Sequence, residues 1–168
     1  MNAPPHRQLF CHDARFGHWF VPGLRARVPH ERGAYYVTTN RDGARCRELT
    51  PKAVGKRRVL VLGDSFSAAD GVDNAERYSD RLEALISNTE VFNLALPGSG
   101  TDQQVLIQAA YEPRIQPDIL VFAPLVENIR RIVAHYRKGQ DPRSGAPVLL
   151  PKPYFSLEGG TLTAHHQP

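Results

Sequence analysis

A chain of 168 residues, 41% hydrophobic and 23% charged, reads as one soluble domain of ordinary size. No apolar run approaches the roughly eighteen residues of a membrane span, and the N-terminal stretch lacks the basic-then-apolar layout of a signal peptide, so a cytoplasmic location is expected. The net charge of +4 is uneven: residues 1–58 carry twelve Lys/Arg against four Asp/Glu, and residues 59–168 nine against thirteen. Without an aromatic-plus-glycine RNA motif or a helix-turn-helix pattern, the basic arm reads as a solvated extension packing on the acidic remainder, and nucleic acid is not an expected partner.

In chain order, residues 1–55 show no sustained period. Phe10, Phe16, Trp19, Phe20, Tyr35 and Tyr36 are scattered among Pro and Gly, which predicts a basic, irregular N-terminal segment anchored by aromatics. Within it Tyr35 to Thr39 has strand composition, and Asn40-Arg41-Asp42-Gly43 reads as a turn. Cys11 and Cys46 have no Cys or His at zinc-like spacing and read as free thiols.

The second region, 56–168, is organised around Val59-Leu60-Val61-Leu62-Gly63-Asp64-Ser65. A short Val-rich run ending in turn formers predicts a buried parallel strand with Ser65 just past its carboxyl end. A polar loop, Ser67 to Asn74, is followed by a predicted amphipathic helix, Ala75 to Ser87, with Tyr78, Leu82, Leu85 and Ile86 on one face. Glu90 to Leu94 predicts a second strand, leading to the turn Leu96-Pro97-Gly98-Ser99-Gly100. Thr101 with Gln104 has capping-box spacing, so a helix is expected from Thr101 to near Pro113, turning Val105, Leu106, Ala109 and Ala110 inward.

Asp118 to Ala123 predicts a third strand, with Leu125-Val126-Glu127-Asn128 beyond its end. A basic helix is then expected over Ile129 to Lys138, and a loop over Gly139 to Pro147. Pro153 to Leu157 and Thr161 to Thr163 flank Glu158-Gly159-Gly160, a hairpin signal. Three strands, each followed by a turn and a helix, predict βαβ units in a parallel sheet.

Ser65, Gly98 and Asn128 therefore each follow a predicted strand. In open α/β sheets ligands bind at that edge. Acyl transfer needs a nucleophile and donors aimed at the developing oxyanion. The Ser65 and Gly98 N–H groups and the Asn128 amide are residue types suited to that role. A dinucleotide fingerprint is absent after Leu62, and His12, His18, His30 and His135 are isolated, so no metal site is expected.

The three blocks resemble those of the SGNH hydrolases, the GDSL esterase/lipase superfamily. Gly63-Asp64-Ser65 is similar to the block holding the nucleophilic serine. Asn93 to Gln103 looks like the block whose oxyanion glycine would be Gly98, and Leu125 to Asn128 occupies the place of the block whose oxyanion asparagine would be Asn128. Glu127 and Ile129 depart from that block's usual Gly-Asn-Asp. Tyr36 to Asn40 also resembles a segment preceding the first block in some members.

The resemblance implies a flavodoxin-like three-layer α/β/α fold with a parallel sheet, incomplete at the C-terminus, and a serine esterase acting on a small-molecule or carbohydrate ester without metal or organic cofactor. The family's Asp-x-x-His, which supplies the general base, is absent. His165 and His166 read as linker residues, and the expectation is a partial domain whose base lies elsewhere. The competing expectation is a non-catalytic relative acting as a binding module. Either form leaves the strand Ile119 to Ala123 near an uncovered side of the sheet, where association is expected.

Overall fold

The computed structural model describes residues 9–31, 33–141 and 144–165; residues 1–8 and His166 lie outside the described residues. The N-terminal region is more regular than its composition predicts. β1 (Phe10–Cys11) pairs with β2 (Trp19–Phe20), and β3 (Arg25–His30) pairs antiparallel with β4 (Gly33–Thr38). The expected turn at Asn40 forms, with Asn40 Oδ1 accepting from the Asp42 and Ala44 N–H groups at 3.0 and 2.9 Å. Phe16, Trp19, Phe20, Tyr35 and Val37 join Leu60, Leu62, Phe92, Ile107 and Tyr111 in one buried cluster. The aromatics of the first fifty-five residues thus help to form the main core.

β5 (Arg57–Gly63) leads into α1 (Ser65–Ala68), and a 3-10 turn at Asn74–Glu76 precedes α2 (Tyr78–Leu85). β6 (Thr89–Asn93), α3 (Thr101–Ile115) and β7 (Ile119–Ala123) follow. These strands form a small parallel sheet in the order β6-β5-β7. Alternate residues of β5 face opposite sides. Leu60 and Leu62 enter the main core beside α3, while Val59 and Val61 pack with Val91 and Leu82 of α2. The described chain is a mixed α/β structure, with helices packed on this sheet and antiparallel pairs around it.

Several expectations about helices are corrected. The helix over Ala75 to Ser87 is shortened to α2, and its Tyr78 and Leu85 are exposed. α3 buries Gln103, Gln104, Ile107, Tyr111 and Ile115, whereas Val105, Ala109 and Ala110 are exposed. Its start is held by Gln103, whose Oε1 accepts from the Gly100 N–H at 3.0 Å; Gly100 has no side chain to complete a capping box, and the Thr101/Gln104 box does not form. Gln104 instead donates to Ser99 Oγ at 3.1 Å. The helix also runs two residues past Pro113. The carbonyl that Pro113 leaves without an N–H belongs to Ala109 on the exposed side, where water can reach it.

The expected basic helix over Ile129 to Lys138 is absent. Val126–Arg131 forms a 3-10 turn, and β8 (Tyr136–Gln140) pairs antiparallel with β9 (Pro147–Pro151). Ile129 and Val133 are exposed, so a helix here has no apolar face to bury, and the ladder with β9 satisfies the backbone instead. The last predicted hairpin forms as β10 (Tyr154–Glu158) and β11 (Thr161–His165). Gly159 and Gly160 both have positive φ, +55° and +85°, as a two-residue primed turn requires. His165 ends β11 rather than trailing it. No described helix is long and apolar enough to cross a membrane.

Candidate functional site

The carboxyl edge of the parallel sheet gathers the three predicted positions. Asp64 is buried, and its two carboxylate oxygens do different work. Oδ1 accepts from the Phe66 N–H at 3.0 Å, fixing the turn into α1, and Oδ2 accepts from Asn128 Nδ2. A residue past β7 is thereby tied to the residue before Ser65. Asn128 is 4% exposed and lies inside the 3-10 turn, with Leu125 at the cap position, so it is not a helix cap.

The loop after β6 is tied to the same place. Leu96 N–H donates to the Gly63 carbonyl at 3.0 Å, and Ser99 Oγ donates to it at 3.4 Å. Gly98, between them, has φ of +78°, a left-handed conformation that favours glycine. A Cβ there would also stand 2.9 Å from Arg137 Nη1. Asn93, the last residue of β6, donates from Nδ2 to the Ser67 carbonyl at 2.7 Å and to Ser79 Oγ at 2.9 Å. One buried amide thus joins the ends of β6, α1 and α2.

Ser65 itself is partly exposed at the start of α1. Among the described residues, its hydroxyl, its N–H and the Gly98 N–H make no hydrogen bond. No described histidine bonds to Ser65. His18 is buried and sits by the Gly98 loop, with Nε2 2.8 Å from the Pro97 carbonyl and Nδ1 within 3.4 Å of Gln103 Nε2 and 3.0 Å of Arg137 Nη1. Arg137 Nη1 also lies against Nε2, so the Pro97 carbonyl calls for a proton on Nε2 while the Arg137 and Gln103 N–H groups call for bare ring nitrogens. Burial, reinforced by the Arg137 charge, pushes the His18 pKa down to about 3, so the ring is neutral and a weak base. His30 lies by Gly71, and His135 and His165 stack on the two sides of Tyr154 at 3.7 and 4.8 Å.

Several arginines that read as surface charge in the sequence are part of this region. Arg45 is buried, and its guanidinium donates to the Ala68, Ala69 and Val72 carbonyls and to Asn74 Oδ1 at 2.5–3.1 Å, clamping the loop that follows Ser65. Arg131 Nη1 donates to the Ser99 carbonyl at 3.0 Å. Arg137 lies against Gly98 and His18. Lys152 and Asp102 form a buried ion pair at the first turn of α3.

Buried arginines are rare enough that sequence position alone gives no signal for them. Among the described residues no group of three His, Cys, Asp or Glu is arranged to hold a metal ion. The two cysteines are free thiols. No protein-family model matches the chain, and no curated protein matches it.

Proposed function

We propose that the chain is the nucleophile-bearing part of a serine ester hydrolase, related to the SGNH hydrolases and built on their flavodoxin-like arrangement. The observation that carries this reading is the double tie to the residues preceding Ser65, from Asn128 to Asp64 and from the Gly98 loop to Gly63. Ser65 Oγ attacks the ester carbonyl, and the Ser65 N–H, the Gly98 N–H and the second Asn128 amide hydrogen face the developing oxyanion. Preorganised donors of this kind are each worth about a hundredfold or more in rate. Small-molecule and carbohydrate esters are the substrate classes.

Catalysis at ordinary rates needs a base to take the Ser65 proton, because a serine hydroxyl is scarcely ionised at neutral pH. His18 is neutral, but its Nε2 is held by Pro97 and its basicity is low. The 168-residue chain is therefore expected to turn over p-nitrophenyl acetate slowly, with the Ser65-dependent part removed by Ser65→Ala. Supplying a segment that contains Asp-x-x-His is expected to raise the rate by orders of magnitude. Slow turnover that is unchanged in Ser65→Ala rejects the reading. The second reading, a non-catalytic binding module on the same scaffold, is favoured by the absence of a histidine bonded to Ser65 among the described residues, and that outcome would leave it standing.

A further inference from the structure

A groove of about 1270 Å³ runs between β1 and the β8–β9 ladder; Ser65 does not line it, although Arg137, which does, lies against Gly98. Leu9, Phe10, Val21, Val148 and Leu150 give it apolar walls, and Arg137 lines it as well. Arg137 is half-buried, and its guanidinium lies 5.9 Å from the centre of the Phe10 ring. Its hydrogen bonds go from Nη1 alone, to His18 and, at 3.5 Å, to the Pro97 carbonyl. Among the described residues neither Nε nor Nη2 meets an acceptor, and no carboxylate pairs with Arg137 or Arg131.

The charge around the Pro97–Gly100 loop is consequently unbalanced. Arg131, Arg137 and Lys152 border it, among the described residues Asp102 is the carboxylate that pairs with one of them, through Lys152, and His18 is neutral. Lys138 and Asp141 also border the groove but carry opposite charges. A half-buried guanidinium without an anion is costly, and an oxyanion placed on its free fork is the chemical complement of that site.

We propose that this groove binds an organic carboxylate with an apolar body, the body lying along Phe10, Val148 and Leu150 and the carboxylate on Nε and Nη2 of Arg137. The proposal does not rest on the esterase reading, although Arg137 also borders the Gly98 loop. A body of medium length suits it, because the apolar lining is spread over Leu9, Phe10 and Val21 on one side and Val148 to Leu150 of β9 on the other.

The test is titration calorimetry on the intact chain with three probes: octanoate, octanol and acetate. Octanoate is expected to bind at least about tenfold more tightly than octanol, as a charged hydrogen-bonded pair implies, with acetate too weak to detect. Arg137→Gln is expected to bring octanoate to within about twofold of octanol, and Arg137→Lys to recover only part of the difference, since an ammonium lacks the fork. Ser65→Ala is expected to leave all three unchanged. Equal affinity of the native chain for octanoate and octanol overturns the proposal without any variant. So does octanoate binding that survives Arg137→Gln in a chain whose melting curve is intact. Octanoate binding with no ester hydrolysis would remove the esterase reading alone.

Discussion

His18 shows how much a single residue can decide in this molecule. It is 2% exposed, accepts from Arg137 and lies next to Lys152 and Arg131, so a proton on it would be both desolvated and repelled. Its folded pKa of about 3 is below the ordinary 6.5. Between those values the unfolded chain binds a proton that the folded chain refuses, so stability is full above pH 6.5 and falls as pH falls towards 3. The loss from this group is about 1.4 kcal/mol per pH unit, or about 2 kcal/mol between pH 7 and pH 5. Urea unfolding at the two pH values checks it: His18→Gln is expected to show a pH dependence smaller by that amount. An unchanged difference would mean that the folded protein accepts the proton.

At the scale of elements, the buried pair of Asp102 and Lys152 joins α3 to the segment between β9 and β10. The two side chains are 4% and 5% exposed. Lys152 Nζ also donates to the Pro153 carbonyl at 3.0 Å, while Asp102 Oδ1 has no partner among the described residues. Asp102→Ala leaves the ammonium buried beside one carbonyl and is expected to cost about 3–5 kcal/mol. Replacing both, as Asp102→Leu with Lys152→Met, is expected to recover most of that. Hydrogen exchange gives the spatial check, since amides of β8 to β11 are expected to lose protection in Asp102→Ala before those of β5.

Much of this level was legible in the sequence. Apolar runs located β5, β6 and β7 to within two residues: β5 and β6 are buried on both faces and need no periodicity, and β7 keeps the same apolar composition although it is exposed. Gly159-Gly160 located the last hairpin by its positive φ requirement. The inward face of α3 was not legible: Gln103 and Gln104 are buried by partners distant in sequence or set by a loop, such as the Phe16 carbonyl at 2.5 Å from Gln103 Nε2. The β8–β9 pair was missed because β8, Tyr136–Gln140, straddles a basic stretch read as helix and a Gly- and Pro-containing stretch read as loop, with no apolar alternation to mark a strand. In the candidate site Ser65, Gly98 and Asn128 were visible from their places after strands. Arg45, Arg137 and His18 were not, since only the folded chain brings them to the loops they hold.

Across the whole molecule the weakest feature is the edge of the parallel sheet. In β7, Ile119, Leu120, Val121 and Phe122 are each 36–45% exposed, and successive residues point to opposite faces, so both faces of this strand are open. Its far edge also has no pairing strand among the described residues. An apolar edge of this kind offers a template for pairing with a second copy. Sedimentation across a range of concentrations is expected to show self-association that Val121→Lys suppresses, without loss of the main core, to which Val121 does not belong. A monomer at all concentrations would show that the edge is protected.

The central claim is that the donors past β6 and β7 serve Ser65. Its most direct test is residue-resolved acylation: incubate the chain with p-nitrophenyl acetate, quench, digest, and locate the acetyl group by mass spectrometry. The account predicts acetyl on Ser65 in preference to surface lysines, accumulating because no described histidine bonds to Ser65 to drive deacylation, and forming about a hundredfold more slowly in Asn128→Ala. Acetyl groups scattered over lysines with Ser65 unmodified, or Ser65 labelling indifferent to Asn128→Ala, would contradict it.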